Sequence, residues 1–278
     1  MSATKSVSAL YAAPAGRGLL SASVPDGRLE VRRVLPSPDL APYIHHYGSA
    51  HWDLRSPLRV DTLPHPAARI ELEVQRNAWS ARAVGVRTGR YGNTRSDSGQ
   101  YFVVQFRPAT FQPLLRAALS SLTDRSAPAA RLFGARANDW ALGVQHAQSL
   151  QDEIDLTETF LRTLVPALPP VVAGLRDVVE RVGADATLCR VEQVAAAAKL
   201  DVRTLQRRFQ TYVGVPPKWV IQRYRLQEAA ERLRAAAPVT LASLAAELGY
   251  ADQAHFARDF RRVIGRPPGV FARAQAGH

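Results

Sequence analysis

One pattern of residues occurs twice in the C-terminal third of the chain, at 191–209 and 241–260, and it constrains the fold more than any other feature. Each copy has an alanine-rich segment, a turn of three or four residues, and then a segment rich in polar side chains. Alanine favours helix and lets two helices approach closely. Each copy therefore predicts a short helix, a tight turn and a second helix, which is the order of a helix-turn-helix unit.

The two turns contain residues that suit such a junction. Asp201 and Asp252 directly precede the second helices, where a side-chain oxygen can accept a hydrogen bond from an unpaired amide of the first turn. Gly249 lies where the chain must change direction, and glycine adopts a positive φ without steric cost. These residues predict where both second helices begin.

Each second helix has one apolar side and one polar side. Leu205 and Phe209, like Phe256 and Phe260, are four residues apart, so each pair lies on one side of its helix and is expected in the core. The opposite side can face outward, and arginine and glutamine are side chains that recognise base edges in DNA. The outward candidates for base contact are Arg203, Gln206, Arg207, Gln253, His255 and Arg258.

The segment between the copies predicts one long helix over 217–236. Pro216 and Pro217 suit a helix start, and Pro238 suits its end. Such a helix is roughly 28 Å long at ~1.5 Å per residue, close to the ~34 Å between successive major-groove faces of B-DNA. Its apolar residues point to several sides, which indicates burial between neighbours. Arg225 is accordingly expected to be a structural ion-pair partner and not a DNA contact.

Residues 171–274 resemble the AraC/XylS family of transcription regulators. The motifs that carry the resemblance are Leu205-Gln206-Arg207-Arg208-Phe209, Gly214-Val215-Pro216-Pro217, Tyr224-Arg225-Leu226, Leu248-Gly249-Tyr250 with His255-Phe256 and Phe260, and Gly265-Arg266-Pro267-Pro268 with Phe271. Two copies of the pattern at this spacing, each followed by a Gly-x-x-Pro motif, make the match specific.

The resemblance implies two helix-turn-helix subdomains joined by one long helix. Their recognition helices, at 202–212 and 253–263, would read adjacent major grooves on one side of the DNA through the six candidates above. Arg208, Arg261 and Arg262 flank the outward sides and are predicted to contact phosphate. The implied partners are double-stranded DNA, RNA polymerase, a small-molecule effector and a second copy of the chain.

Two positions depart from the family pattern. Lys199 stands at a turn position where glycine or asparagine is common, which costs about 1 kcal/mol if its φ is positive. Ala254 stands where some members have a polar base contact, so the second half-site is expected to be read less strictly. An alanine methyl can still touch the methyl group of thymine.

Length and charge agree with a two-domain protein that binds a polyanion. The chain has 278 residues, enough for two domains of ordinary size, and a formal net charge of +12. Residues 171–278 hold 17 basic and 10 acidic residues, against 19 and 14 in residues 1–170. The charge excess per residue is therefore larger in the C-terminal part, as expected for a DNA-binding domain.

The predicted fold class is α+β. A small β-barrel or sandwich-like sensor domain with helices is expected at 28–166, and an all-α domain at 171–274. Residues 1–27 are expected to form a flexible tail, and residues 167–170 a short, stiff linker. Turn residues separate the segments with strand-like patterns. These segments are 29–34, 44–53, 59–63, 69–74, 82–86 and 101–106.

Two helices are expected after the strands, at 110–119 and 139–164. The second has an apolar stripe beginning at Leu142, and such a stripe serves either core packing or a dimer surface. The motifs at 63–67 (Leu-Pro-His-Pro-Ala) and 106–108 (Phe-Arg-Pro) resemble the sensor domains attached to AraC-type DNA-binding domains. That resemblance implies a domain that binds an unknown effector or mediates dimerisation.

Candidates for catalysis or metal binding are few. Four histidines occur close together in the N-terminal half, but His45 and His46 are adjacent and would face opposite sides of a strand. Trp52, Trp79 and Tyr101 are candidates to line a pocket, although core packing is the expected use of these side chains. Because no phosphate-binding glycine loop, nucleophile elbow or metalloprotease motif occurs, we expect no catalytic residue, no metal ligand and no cofactor.

Two alternatives stay open at this point. In the first, the N-terminal half is a metal-dependent enzyme or binding domain that uses DNA binding as a platform. In the second, the chain is a constitutive architectural DNA-binding protein, whose N-terminal domain would have a filled interior.

Cysteine content and hydropathy restrict the class further. Cys189 is the single cysteine, which excludes an intrachain disulfide and a zinc site built on cysteines. It also argues against relatives of this fold that repair alkylated DNA through a zinc-bound cysteine cluster. No apolar run approaches the ~18 residues of a membrane span, so the expected location is the cytoplasm, and no membrane partner is expected.

Overall fold

The computed structural model describes residues 19–22, 26–75, 78–235 and 240–276. A sheet-rich N-terminal part with its own helices precedes a helical C-terminal part, which confirms the predicted α+β class and two-part architecture. Residues 1–18 and 23–25 of the predicted tail lie outside the described residues. Within the described ranges, no helix is both long enough and apolar enough to cross a membrane.

Within the described ranges, seven strands form one antiparallel sheet. They are β1 Leu19–Ala22, β2 Gly27–Val34, β3 Ile44–Thr62, β4 Arg69–Gln75, β5 Ala78–Val84, β6 Tyr91–Phe106 and β7 Ser126–Pro128. Their order is β1, β3, β6, β4, β5, β7, and β2 also pairs with β3. Among the ladders of the described strands none joins β1 to β7, so the sheet is open and not a closed barrel.

The long pair β3 and β6 organises the sheet. The predicted segments 44–53 and 59–63 form a single strand, β3, whose register with β6 shifts between Ile44 and His46 and again between Leu54 and Leu58. Strand β1 pairs with residues 60–62 of β3, so the prediction of a flexible tail is wrong for β1. Backbone hydrogen bonds to an exposed edge hold such a short strand, and composition does not reveal them.

The two faces of the sheet have different neighbours because side chains alternate along each strand. Phe102 and Phe106 of β6 are fully buried and belong to a core that includes the helices of the N-terminal part. Tyr101 and Gln105 of the same strand face a cavity on the opposite side. The cavity side of the sheet is the side that faces the C-terminal helices.

The described residues of the N-terminal part contain four short α-helices. They are α1 Gln112–Leu115, α2 Ala129–Phe133, α3 Arg136–Gln145 and α4 Leu150–Arg162. A helix was predicted over 110–119, but only residues 112–115 are helical, so the predicted helix is too long at both ends. Arg116 takes a left-handed φ of 54° and ends that helix, after which the chain continues into a 3₁₀ turn at Leu119–Leu122.

The prediction of one helix over 139–164 is also wrong, because α3 ends before α4 begins. The side chain of Ser149 accepts a hydrogen bond from the backbone amide of Asp152 at 3.2 Å, which caps α4. The apolar stripe continues across this break, and for that reason the pattern indicated one helix. Leu142 in α3 is exposed, whereas Ile154 in α4 is buried in the core.

The C-terminal part contains seven α-helices among the described residues. They are α5 Pro170–Ala184, α6 Val191–Ala197, α7 Val202–Arg208, α8 Pro217–Arg234, α9 Leu241–Glu247, α10 Gln253–Ile264 and α11 Pro268–Ala276. Helices α6 and α7 form the first helix-turn-helix unit, and α9 and α10 form the second. A π-helical turn, Phe209–Val213, extends α7 and ends at Gly214 with φ of 88°.

Helix α8 joins the two units, as predicted. It begins at Pro217, and the predicted end at Pro238 lies outside the described residues. Val220 and Ile221 are buried in the core of the first unit, whereas Leu226 and Ala230 are buried in the core of the second. One helix therefore packs into both cores, which fixes the units relative to each other.

Arg225 of α8 is a structural residue, as predicted. Its guanidinium is buried, and Nη2 donates to the carbonyl oxygens of Val182 at 2.7 Å and Asp185 at 2.9 Å. Nη1 pairs with the carboxylate of Glu228 at 2.6 Å. These bonds tie the C-terminal end of α5 to α8.

The N-terminal part contacts both helix-turn-helix units. Val86 and Ala109 are buried in the core of the first unit, and Leu63 is buried in the core of the second. Arg107 pairs with Glu180 of α5 at 2.6 Å. The sheet and the DNA-binding units are therefore packed together, while the domain limits at 28–166 and 171–274 stay predictions.

Candidate nucleic-acid interface

The first unit has the local geometry that its sequence predicts. Oδ1 of Asp201 accepts a hydrogen bond from the backbone amide of Thr204 at 2.8 Å and caps α7. That bond from Thr204 holds the pKa of Asp201 below its usual value. Leu205 and Phe209 are fully buried, so the opposite side of α7 faces outward.

The second unit repeats this arrangement. Oδ1 of Asp252 accepts from the backbone amide of His255 at 2.7 Å and caps α10. Phe256 and Phe260 are fully buried, as predicted. Gly249 has φ of 78°, and a Cβ at this position would lie 3.3 Å from Cβ of Cys189. The turn therefore favours glycine for both conformation and space.

Lys199 stands in the first turn with φ of 54°. This is the left-handed conformation that residues with a side chain disfavour. The cost of about 1 kcal/mol that the sequence predicted for a positive φ therefore applies. We expect Lys199→Gly to raise the free energy of unfolding by up to about 1 kcal/mol. Denaturant unfolding of the full chain measures this change.

Lys218→Gly is the matched control for Lys199→Gly. Lys218 is exposed in the first turn of α8, where glycine lowers stability by up to about 1 kcal/mol. A loss of stability in both variants would contradict the strain at Lys199.

The outward side of α7 carries the three predicted base contacts of the first unit. Arg203, Gln206 and Arg207 are all exposed, whereas Arg208 is half-buried beside them. The three exposed side chains lie on the side of α7 opposite Leu205. They are therefore accessible to DNA when this helix enters a groove.

The outward side of α10 is less basic. Gln253, Ala254 and Arg258 are exposed, and His255 is half-buried. Nε of Arg258 lies 3.4 Å from the carbonyl oxygen of Ala254, so this guanidinium rests along its own helix. All three predicted base contacts of the second unit belong to the first two turns of α10, and their role in base contact stays a prediction.

Asp259 is a residue of this surface that the sequence interpretation missed. Its carboxylate lies 3.6 Å from Nε2 of His255 and 3.1 Å from Nη2 of Arg262. Nε2 of Gln222 in α8 donates to Oδ2 of Asp259 at 3.4 Å. It therefore orients one predicted base contact and one predicted phosphate contact. The signal was present, since Asp259 follows His255 by four residues and precedes Arg262 by three.

A cavity of about 460 Å³ lies between the sheet and helices α5 and α8. Trp52 and Tyr101, which were expected in the core, line it, whereas Trp79 is partly exposed on the sheet. A Cβ at Gly99 would collide with the indole of Trp52, so this glycine lets the indole lie across β6. The cavity does not agree with an architectural protein whose N-terminal domain has a filled interior.

Three of the histidines meet at this cavity. Nδ1 of His45 lies 2.8 Å from Nδ1 of His46, and the rings of His45 and His65 are 6.0 Å apart between centroids. The prediction that His45 and His46 face opposite sides is wrong, because the register shift between Ile44 and His46 breaks the alternation. Among the described residues no group of three or more His, Cys, Asp or Glu has a metal-binding arrangement.

We expect acid to destabilise the protein through these histidines. Burial lowers the pKa of His45, lowers that of His46 to about 3, and lowers that of His65. Their contribution to stability is fully present above the unfolded-state pKa, about 6.5. This contribution to stability falls as pH drops from about 6.5 towards the lower pKa values of the folded state. In that range the unfolded chain binds more protons than the folded chain does.

His46→Gln should weaken this dependence. The Tm of the variant is expected to fall less steeply between pH 7 and 5 than the wild-type Tm, with His146→Gln as the control outside the cavity. A hydrogen bond to Glu153 raises the pKa of His51, so His51 stabilises the folded protein as pH falls. Both variants retain that bond, so it does not affect the comparison. Parallel pH profiles for His46→Gln and the wild type would contradict the expectation.

Comparison with known proteins supports the two-part division. Residues 194–274 match the family described as a helix-turn-helix domain. Residues 32–128 match a family described as a domain of unknown function, DUF6597.

Two relatives are AraC-like transcription regulators. The chain is 37% identical over 81 residues to one from Streptomyces lividans, covering 29% of this chain and 26% of that protein. It is 35% identical over 82 residues to one from Streptomyces antibioticus, with the same coverage. The chain spans about a quarter of the length of these curated relatives.

Solved structures show only distant likeness. The C-terminal domain of AraT, a response regulator from Geobacillus stearothermophilus, is 21% identical, covers 39% of this chain and 88% of that chain, and gives a TM-score of 0.34. ToxT from Vibrio cholerae is 10% identical. The match covers 91% of this chain and 99% of that chain, with a TM-score of 0.38. TM-scores this low carry no functional weight.

The helix-turn-helix match and the two relatives concern the same region. The segment 194–274 runs from the first helix-turn-helix unit through α8 to the second. Over this segment the chain is similar to AraC-like transcription regulators.

Proposed function

We propose that this chain is a sequence-specific, DNA-binding transcription regulator. One observation carries the proposal: two helix-turn-helix units, each with an aspartate-capped second helix and a polar outward side, are built onto the single helix α8. The helix-turn-helix match at 194–274 and the similarity of this segment to AraC-like transcription regulators support it. The proposal includes no catalytic step, no metal and no cofactor.

In this proposal α7 and α10 read adjacent major grooves. The 18 residues of α8 give a length of about 27 Å at ~1.5 Å per residue, comparable to the ~34 Å of one DNA turn. Arginine would bind guanine in a bidentate manner, and glutamine would bind adenine. The proposed base contacts are Arg203, Gln206 and Arg207 in the first unit and Gln253, His255 and Arg258 in the second.

Phosphate contacts would supply most of the affinity and its salt dependence. Arg208, Arg261 and Arg262 are the proposed contacts, since they flank the outward sides of α7 and α10. Arg262 already pairs with Asp259 at 3.1 Å, so it exchanges a partner on binding DNA. Its net contribution should therefore be smaller than that of the exposed Arg261.

The N-terminal part is proposed to sense a small molecule or to mediate dimerisation. The cavity beside the sheet supports the sensing role. Contact with RNA polymerase and pairing of two copies of the chain are proposed from the resemblance to AraC/XylS regulators. These partners are separate from DNA binding and are tested separately.

Selection of bound DNA from a random pool tests the proposed function. We expect full-length protein at near-physiological salt to enrich two short sequence blocks about one helical turn apart. Enrichment of one block would restrict base reading to one unit. Salt-sensitive binding with no enriched sequence would overturn the proposal.

The selected site then allows a test of Arg207. Arg207→Ala should weaken binding to that site by roughly 1–3 kcal/mol and relax specificity at one base pair. Arg261→Ala is the matched control, because it also removes one exposed arginine but should weaken cognate and random DNA equally. Equal losses on both kinds of DNA for Arg207→Ala would contradict its role in base recognition.

A further inference from the structure

A groove lies on the other face of the sheet from the cavity, between strands β2 and β3 and the turn that joins α3 to α4. Ser49 and His51 of β3 line the groove, whereas Trp52 of the same strand lines the cavity, because side chains alternate along a strand. The volume of the groove is about 330 Å³, within the range of sites that hold small organic molecules. Its described lining consists of Glu30, Arg32, Ser49, His51, residues 147–150 and Glu153.

The groove contains a buried carboxylate with unused hydrogen-bonding capacity. Glu153 of α4 is 2% exposed, and its Oε1 accepts a hydrogen bond from Nε2 of Gln100 at 2.5 Å and lies 3.2 Å from Nε2 of His51. Its Oε2 is buried and accepts no hydrogen bond from the described residues. A carboxylate has about four acceptor positions, so Glu153 can accept further donors.

The two carboxylates of the groove are compensated differently. Nε of Arg32 donates to Oε1 of Glu30 at 2.9 Å, and Nη2 of Arg28 lies 3.6 Å from Oε2 of the same residue. Two arginines of its own strand therefore neutralise Glu30. Among the described residues, the ion-pair partner of Glu153 is His51, which carries charge only when it is protonated.

His51 controls access to Glu153. The side chain of His51 is 53% exposed, whereas that of Glu153 is 2% exposed. Its Nε2 also lies 3.1 Å from Oγ of the buried Ser49. Because solvent reaches the imidazole but not the carboxylate, a ligand meets His51 first and reaches Glu153 by displacing it.

We propose that this groove binds a small organic ammonium ion through the carboxylate of Glu153. The ammonium group takes the place of the His51 imidazole and donates hydrogen bonds to Glu153, while the polar body of the ligand lies along the turn at 147–150. Hydrogen bonds between two charged partners are about twice as strong as those between neutral groups. The ligand also supplies the counter-charge that a buried carboxylate requires.

Other ligand classes fit the groove less well. An anion would be repelled by Glu153, and a neutral molecule would leave this carboxylate without a counter-charge. A metal ion would need several ligating side chains, and no group of three or more His, Cys, Asp or Glu with a metal-binding arrangement occurs in the part of the chain that the structure describes. An ammonium ion needs only the one carboxylate and neighbouring acceptors.

This inference goes beyond the proposed function. The described lining of the groove belongs entirely to the N-terminal part, and its occupant would lie on the opposite face of the sheet from helices α5 and α8. Binding of an amine can therefore be measured without DNA and does not depend on base recognition.

Calorimetric titration of the full chain with ethanolamine and with 4-amino-1-butanol tests the site directly. Ethylene glycol and 1,4-butanediol are the matched neutral probes, and potassium chloride keeps the ionic strength equal in all titrations. We expect at least one amine to bind at about pH 9 with a Kd of about 1 mM or below, and its diol to bind at least about tenfold more weakly. Equal binding of amine and diol, or no binding of either amine, overturns the proposal.

Two variants of α4 locate the site at Glu153. Glu153→Gln keeps the shape of the side chain but removes its charge, and should weaken amine binding at least about tenfold. Asp155→Asn is the matched control, because it removes one exposed negative charge of the same helix outside the described lining of the groove. Equal losses for the two variants would reduce the effect to net charge and overturn the assignment.

The affinity for amines should depend on pH through His51. Its hydrogen bond to Glu153 raises the pKa of His51, and the charges of Glu153 and Glu30 act in the same direction against desolvation. The charged groups that line the groove around the imidazole are Glu30 and Arg32 from β2 and Glu153 from α4. At about pH 6 the imidazole is at least about three-quarters protonated, because the usual pKa of histidine is about 6.5, and it competes with the ligand for Glu153.

Amine binding should therefore be at least about threefold stronger at about pH 9 than at about pH 6. The amine stays charged over this range, as the lysine ammonium does with its pKa of about 10.4. His51→Ala removes the competing cation at an exposed position, so its affinity for the amine should be equal at the two pH values. His146→Ala, which changes an exposed histidine outside the described lining, should keep the wild-type dependence. A wild-type pH dependence in His51→Ala would overturn the proposal.

DNA selection with the same preparation separates this inference from the proposed function. If the protein enriches a DNA site but binds neither amine, the ammonium site is wrong and the regulator stands. If an amine binds with the expected dependence on Glu153 and His51 but no DNA sequence is enriched, the site stands and the regulator falls.

Discussion

Phe260→Ala should lower the free energy of unfolding of the second helix-turn-helix unit by about 3–5 kcal/mol. Phe260 is fully buried, and its ring contacts those of Phe256 and Phe271 with centroids 5.6 and 5.5 Å apart. Alanine removes these contacts and leaves a cavity that the short helices around it can fill only in part. A loss of this size is comparable to the whole stability of a small domain.

The functional result should be a shortened DNA footprint. Without a folded second unit, the block read by α10 is lost, while the block read by α7 remains protected. Denaturant unfolding and footprinting on the selected site measure the two effects. Val270→Ala is the control, since Val270 is partly exposed on α11 and its truncation should change stability by less than about 0.5 kcal/mol. A full footprint with unchanged stability for Phe260→Ala would contradict the packing role.

Arg225→Ala should cost about 3–5 kcal/mol, for an electrostatic reason. The change leaves the carbonyl oxygens of Val182 and Asp185 without their donor and removes the cation beside Glu228. Arg225 is 3% exposed, so water cannot easily replace the lost bonds. Denaturant unfolding, monitored through the helical circular dichroism signal, measures the loss in the free energy of unfolding.

Two further variants show whether the guanidinium fork is required. Arg225→Lys keeps the charge but cannot bridge two carbonyl oxygens and a carboxylate in the same geometry, so we expect most of the loss to remain. Lys218→Ala removes an exposed cation of the same helix and should be nearly neutral. Wild-type stability of Arg225→Lys would mean that charge alone ties α5 to α8.

The helix-turn-helix units were predictable because their signals are local. Asp201 and Asp252 cap helices through amides three residues away, and Gly249 meets a requirement of its own φ. The apolar pairs are spaced by one helical turn. Such interactions connect near neighbours in the chain, so residue order alone reveals them, including the strained position of Lys199.

The N-terminal part was predicted less well because its elements depend on distant partners. The stripe through α3 and α4 kept its period across a break that the Ser149 cap decides. Strand β1 exists through its ladder to β3, and a bulge at the start of β3 turns His45 and His46 to the same cavity. Periodicity describes which residues are buried, but it does not show where a strand shifts its register.

The sequence by itself determined the double helix-turn-helix, its caps, its core pairs and the exposed side of α7. Only the tertiary structure decided that the sheet is open, that Asp259 orients His255 and Arg262, and that a cavity lies between the sheet and α8. The walls of that cavity come from residues as far apart as Arg33 and Gln227. Side chains so distant in the chain meet only through the packing of whole elements, which no local pattern records.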